Sequence, residues 1–197
     1  MKTSGVILAG GKSTRMKFNK AFACIAGQPV VQIILDKFTV YFDETIIISN
    51  EPQLYKDLGF KICPDIFPGL GPVAGIHSAL YHASNDRIFV MGCDMPFMNM
   101  SLISFLLDSL EDYDCVVPEL DTRLQPLSAV YSKKCLPVLT ECLEHDKLKL
   151  IRVFEELYTR VIDEMQMKQF GNPQEIFMNV NDQTALELAQ QIAGRYL

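Results

Sequence analysis

Short apolar runs rich in β-branched residues alternate along this chain with stretches of helical spacing, and this alternation restricts the fold more than any other feature. The runs fall at residues 6–9, 45–49, 87–91, 114–118 and 127–131. They are short and continuous, as strands buried on both faces should be. Between them, residues 29–42 place Val30, Ile33, Ile34 and Phe38 on one helical face, and residues 72–83 open on a proline, which is preorganised for a first helical turn. Further helices are expected over 102–110 and 136–143, with an amphipathic one over 184–193. The pattern predicts an α/β fold with a parallel or mostly parallel sheet covered on both faces. No Ser/Gly-rich linker, low-complexity tract or repeat interrupts it, so residues 1–197 are expected to form a single domain.

Composition removes several classes of function. With 49% hydrophobic residues over 197 positions the chain can bury a substantial core. Its 18 Lys+Arg against 24 Asp+Glu leave a formal charge of −6, which argues against a broad basic face for nucleic acid. No run of about 18 apolar residues is present to span a membrane. Residues 6–9 are the only apolar stretch before Gly10 and Gly11, too short for the core of a secretory leader. Six cysteines at 24, 63, 93, 115, 135 and 142 contain no C-x-x-C pair and read as reduced, mostly buried small hydrophobes. A cytoplasmic location is expected.

In open α/β sheets ligands settle outside the carboxyl ends of the strands, so chemistry is sought just after Ala9, Ser49, Met91 and Pro118. The strongest signal is the segment from Leu8 through Ala9, Gly10, Gly11, Lys12, Ser13, Thr14 and Arg15 to Met16, followed by Lys20. Two glycines let the backbone turn tightly and bring amides to an anion, while Lys12, Arg15 and Lys20 add charge suited to a nucleotide triphosphate. The plainer alternative is a turn with solvated basic side chains. A Walker A loop does not fit, because the required first glycine position holds Val6, and neither G-x-G-x-x-G nor G-x-S-x-G occurs.

Asp94, in Met91-Gly92-Cys93-Asp94-Met95-Pro96-Phe97, stands at the end of a strongly apolar strand. A carboxylate there can hold magnesium against nucleotide phosphates; the alternative is a helix or turn cap. Asp65 precedes the glycine-rich stretch 68–75 and is a weaker candidate for a base or ribose contact. His77 and His82 are five residues apart, so they do not share a helical face as metal ligands would, and they read as core or surface histidines. Cys93 has no identifiable base to activate it.

These residues together resemble a known family. Leu8-Ala9-Gly10-Gly11 with Arg15-Met16 and Lys20, then Gly71-Pro72-Val73-Ala74-Gly75, Cys93-Asp94-Met95-Pro96-Phe97, Gln125-Pro126-Leu127 and Asn179-Val180-Asn181 resemble, in order, the molybdenum cofactor guanylyltransferases. The resemblance implies a Rossmann-like nucleotidyltransferase of the nucleotide-diphospho-sugar transferase type, a three-layer sandwich, joining GMP from GTP to the phosphate of molybdopterin with release of pyrophosphate and use of Mg2+. It implies that Leu8, Ala9 and Gly10 cradle GTP, that Lys20, Asn50 and Asp65 also contact it, and that Asp94 binds nucleotide and metal. Gln125, Asn179 and Asn181 are then expected toward the pterin, with Lys147 and Lys149 near phosphate. Two positions depart from the family pattern: Lys17 stands where glycine is usual, and residues 146–152 offer lysines where arginine is common.

On this reading the pterin phosphate attacks the α-phosphorus in line, Arg15, Lys20 and Asp94 supply the electrostatics, and no general base is required because the nucleophile is already ionised. The rival expectations are a nucleotidyltransferase using CTP or a sugar or alditol phosphate, and a nucleotide-binding module without catalysis. Transient contacts with cofactor-pathway proteins or recipient molybdoenzymes are the expected partnerships.

Overall fold

The structure, a computed structural model, describes residues 2–10 and 20–197. Its strands are β1 (Ser4–Leu8), β2 (Cys24–Ile25), β3 (Gln28–Pro29), β4 (Glu44–Ile48), β5 (Lys61–Cys63), β6 (Arg87–Gly92), β7 (Cys115–Leu120), β8 (Arg123–Leu124), β9 (Ser128–Ser132) and β10 (Thr159–Ile162). The α-helices are α1 (Val30–Tyr41), α2 (Pro72–His82), α3 (Met100–Asp108), α4 (Cys135–Glu144), α5 (Leu150–Phe154), α6 (Glu164–Met167), α7 (Pro173–Ile176) and α8 (Gln183–Ile192).

The main sheet runs in the order β10-β7-β9-β6-β1-β4-β5, with β8 paired to β7. Strands β5, β4, β1 and β6 are mutually parallel, β7 and β10 are parallel to each other, and β9 runs against both β6 and β7. Alternation sorts side chains onto two faces. Ile7, Ile47, Phe89 and Val130 enter one core with α1, α3 and α8. Val6, Leu8, Ile46, Val90 and Tyr131 enter the other with α2, α4 and α5. The expected three-layer sandwich with a mostly parallel sheet is the one observed.

Helix α1 forms where the 3.6-residue stripe predicts it and buries Val30, Ile33, Ile34 and Phe38 among others, each such side chain contributing about 1.5–3 kcal/mol. Its end packs on β1 through a ring cluster, with Phe38 and Phe42 centroids 4.7 Å apart and Phe42 stacked on Phe89 at 6.2 Å. Gly5 makes this approach feasible, since a Cβ there would stand 2.4 Å from the Phe42 ring. Five of the strands escape the sequence pattern: the two-residue β2, β3 and β8, together with β5 and β10. Three-residue β5 begins on an exposed lysine, and edge strand β10 buries only Ile162 fully, so neither shows an apolar run.

Chain β1 reaches β4 through α1 on one face, and β5 reaches β6 through α2 on the other. The crossovers therefore part above β1, leaving a crevice at its carboxyl end between β4 and β6. Among the described residues no helix is long and apolar enough to cross a membrane.

Candidate active site

Backbone ladders continue beyond the strand ends and draw the chain into that crevice. The Ala9 amide donates to Ile48 O at 2.9 Å, Ser49 N to Cys63 O at 2.9 Å, and Cys93 N to Leu8 O at 3.2 Å. Leu8 and Ala9 are buried, so only their backbone can serve a ligand, whereas Gly10 is exposed with open space where a Cβ would stand. Arg15, with Gly11, Lys12, Ser13, Thr14, Met16 and Lys17, lies outside the described residues.

Asp94 follows β6 in the turn at the crevice. Its side chain is 17% exposed and lies 3.7 Å from Lys20 Nζ. Burial raises the Asp94 carboxyl above its ordinary value of 3.8, and the Lys20 charge and hydrogen bonds pull it part of the way back. Lys20 also donates to Asn181 Oδ1. The Val180 amide donates to Asp94 O at 2.8 Å, so the distant Asn179-Val180-Asn181 segment is fastened to the Asp94 turn. Asn179 is exposed and its side-chain amide donates to Phe177 O at 3.2 Å. Gly92 has a steric reason: a Cβ there would stand 2.9 Å from Asp94 Oδ1.

On the β4 side, Asn50 and Asp65 hold each other, with Asn50 Nδ2 donating to Asp65 Oδ2 at 2.8 Å and Asp65 N donating to Asn50 Oδ1 at 3.0 Å. Asp65 Oδ1 is buried and accepts no hydrogen bond, an arrangement that suits a donor brought by a ligand. Ser78 on α2 clamps the following residue by accepting from Ile66 N at 2.8 Å. Helix α2 then starts at Gly71 and Pro72 without a side-chain cap, and because β5 ends at the carboxyl edge these first amides sit at the edge where an anion would bind.

Gln125 lies on the same edge. Its amide donates to Pro118 O at 2.8 Å, and Leu127 O, two residues on, accepts from Gly92 N at 3.1 Å. Because β9 runs antiparallel, α4 starts at the opposite edge and climbs back, bringing residues 145–149 to the carboxyl side. There Lys147 is engaged with Glu156 at 2.7 Å, while Lys149 is exposed at the start of α5. Lys20, Asp94, Asn181 and Gln125 thus cluster around the β6 end, and Asn50 with Asp65 forms a second group beyond β4.

The other candidates take structural places, and only His77 among them is fully in the core. His77 is buried, with Nε2 3.1 Å from Thr140 Oγ1 and its ring edge-on to Phe67, and burial lowers its pKa. His82 Nε2 lies 3.3 Å from Pro64 O. Burial pushes the Cys93 thiol up to about 12, so it stays protonated and is a poor nucleophile.

Sequence reasoning overlooked Lys37, whose Nζ donates to Pro96 O at 2.9 Å, directly after the Asp94 turn. The signal was available, since position 37 shares the α1 stripe with Val30, Ile33, Ile34 and Phe38. Among the described residues no group of three or more His, Cys, Asp or Glu could hold a metal. Asp94 is therefore a single protein carboxylate, a donor set that fits magnesium completing its shell with phosphate oxygens and water, and fits zinc poorly.

A mostly parallel sheet whose crossovers part above β1, with one carboxylate and an adjacent lysine at that carboxyl edge, is the arrangement of the nucleotidyltransferase class with the nucleotide-diphospho-sugar transferase fold. Residues 5–161 match the MobA-like NTP transferase domain model, and the chain belongs to that family. It is 41% identical over 184 residues to a probable molybdenum cofactor guanylyltransferase of Clostridium perfringens, covering 92% of each chain. It is 33% identical over 196 residues to a molybdenum cofactor guanylyltransferase of Desulfosudis oleivorans, covering 98% of this chain and 97% of the other. The fold superposes with a TM-score of 0.85 on molybdopterin-guanine dinucleotide biosynthesis protein A of Archaeoglobus fulgidus, at 22% identity and over 98% and 99% of the two chains.

Proposed function

We infer that this enzyme transfers GMP from GTP to the phosphate of molybdopterin, forming the guanine dinucleotide cofactor and releasing pyrophosphate, as a single nucleotidyltransferase domain over residues 1–197 acting in the cytoplasm. The observation that carries this reading is the junction of Asp94, Lys20 and Asn181, which ties the nucleotide end of the crevice to the far Asn179-Val180-Asn181 segment. A site joining two substrates needs such a junction, and a nucleotide-binding module does not.

In this reading the backbone of Leu8, Ala9 and Gly10 cradles GTP, with Arg15 and Lys20 offsetting the charge of its phosphates. Asn50 and Asp65 take the nucleoside, the vacant acceptor Asp65 Oδ1 receiving a donor from base or ribose. Gln125, Asn179 and Asn181 face the pterin. Magnesium at Asp94 would supply neutralisation of the phosphate oxygens. The chain's own share is positioning: Lys20 sits between the Asp94 carboxylate and Asn181, where a cation offsets charge on the transferring group, and uncapped amides at α2 favour the anion. The attacking phosphate is already ionised, so His77 and Cys93 have no proton to take.

The test is pyrophosphate release with magnesium and molybdenum-loaded molybdopterin, run with GTP, CTP, ATP and UTP in parallel. Acceptor-dependent release with GTP alone is expected, falling at least about 100-fold in Asp94→Ala, the scale for losing one preorganised electrostatic contact. Preference for CTP would overturn the guanine assignment, and GTP binding without release would overturn catalysis.

A further inference from the structure

The turn that carries Asp94 is held at successive residues by different parts of the molecule. Gly92 N donates to Leu127 O, Cys93 N donates to Leu8 O, and Asp94 O accepts from Val180 N, at 3.1, 3.2 and 2.8 Å. These anchors come from the lead-in to β9, from β1 and from the segment before α8. All are backbone to backbone, so no side chain is needed to explain them.

The α1 side is different. Lys37 stands on the helix stripe that otherwise carries Val30, Ile33, Ile34 and Phe38, all buried. A lysine there ordinarily extends its stem along the apolar surface and carries its ammonium out to water. Here the ammonium is half-buried, burial lowers its pKa, and its hydrogen bond goes to the Pro96 carbonyl at 2.9 Å, 59 residues along the chain. Among the described residues no carboxylate lies within ion-pair distance of it. Nothing in α1 packing calls for a cation at this place, since an apolar residue would complete the stripe. What the amine adds is a fixed point for the Asp94–Pro96 turn.

We propose that Lys37 is a positioning residue for the Asp94 carboxylate: its ammonium on α1 holds the Pro96 carbonyl and so fixes the turn from the α1 side, from which no backbone hydrogen bond reaches it among the described residues. It touches neither substrate nor metal. The inference rests on the reading of Asp94 as the metal-binding carboxylate. Loss of an outer partner that orients a ligand commonly weakens metal binding about 10–100-fold, and because Lys37 acts two residues from the ligand the lower end, about 10-fold, is expected.

The test uses the full chain with a non-hydrolysable GTP analogue and Mn2+ as a spectroscopic probe, free Mn2+ being read by electron paramagnetic resonance. Wild type, Lys37→Met, Lys37→Arg and Asp94→Asn are compared, with thermal unfolding recorded for each. Lys37→Met should weaken Mn2+ binding about 10-fold while leaving analogue binding without metal unchanged, and Lys37→Arg, which restores a cationic donor, should recover most of it. A Lys37→Met protein that is thermally destabilised with unaltered Mn2+ affinity, or that Lys37→Arg fails to rescue, overturns the proposal. Should Asp94→Asn itself bind Mn2+ as wild type does, the underlying assignment of Asp94 fails whatever Lys37 does.

Discussion

At the amino edge of the sheet, Glu44 accepts hydrogen bonds from Ser4 Oγ at 2.6 Å, Ser84 N at 2.8 Å and Ser84 Oγ at 2.9 Å, and lies 3.7 Å from Lys61 Nζ. At the carboxyl edge, among the described residues, Asp94 has Lys20 at 3.7 Å as its one ion-pair partner and Asp65 Oδ1 has no hydrogen bond. Glu44 and Asp94 expose nearly the same part of their side chains, 18% and 17%, but Asp94 lies deeper in the protein. Their titrations move in opposite directions. Burial tends to raise both; at Glu44 the serine hydrogen bonds and the Lys61 charge outweigh it and the pKa falls, while at Asp94 burial prevails and the pKa rises. The first edge is finished without a ligand, tying the starts of β1, β4 and β5 to the approach to β6. The second retains a buried carboxylate whose desolvation Lys20 only partly offsets, and a further cation would offset more of it.

Neutralising each carboxylate in turn separates the two edges. Asp94→Asn should lower turnover at least about 100-fold while the melting temperature holds or rises, because a desolvated charge has been removed. A fall in melting temperature alongside intact activity would reverse the roles of the two edges. Glu44→Gln should do the opposite. A hydrogen bond to a charged group is worth about 1.5–3 kcal/mol, and since the neutral amide keeps part of this and solvent screens the partly exposed Lys61, the net loss expected is about 1.5 kcal/mol. A melting temperature lower by about 3–6 °C is therefore expected for a chain of this size, with the GTP concentration for half-maximal rate unchanged.

The smallest effect is in the pH dependence. Glu44 has a folded pKa below its ordinary 4.5, so its contribution is fully present above 4.5 and is lost as pH falls through the folded value. Asp94 has a folded pKa above 3.8, so its ionisation costs stability as pH rises from 3.8 through the raised value. Unfolding curves recorded between about pH 3 and 7 should then lose part of their acid-side decline in Glu44→Gln and steepen slightly in Asp94→Asn. Identical slopes in both variants would show that neither carboxylate differs from its unfolded state in the way the geometry implies.

Much of the fold was legible because burial on both faces of a sheet leaves unbroken apolar runs. Residues 6–9, 87–91 and 127–131 match β1, β6 and β9 to within a residue or two, and α1 and α2 begin at the proline signals. Strands β5 and β10 were not legible, since a three-residue strand and a half-exposed edge strand have too few buried positions to make a pattern. The direction of β9 was hidden for another reason. A strand buried between two neighbours looks the same whichever way it runs.

The site divides along similar lines. Residue type and a place just after a predicted strand were enough to single out Gly10 and Asp94, because carboxyl ends of parallel strands gather at one edge, whereas Asp65 was marked by the glycine-rich stretch that follows it. Sequence also determined the helix stripe on which Lys37 stands. Only the tertiary structure decided that the Val180 amide meets the Asp94 carbonyl, that Lys20 bridges Asp94 and Asn181, and that Lys37 reaches Pro96. Those contacts join residues 59 to 161 positions apart. Local propensity carries no information about such pairings; the order of the strands and the faces taken by the crossovers bring them together.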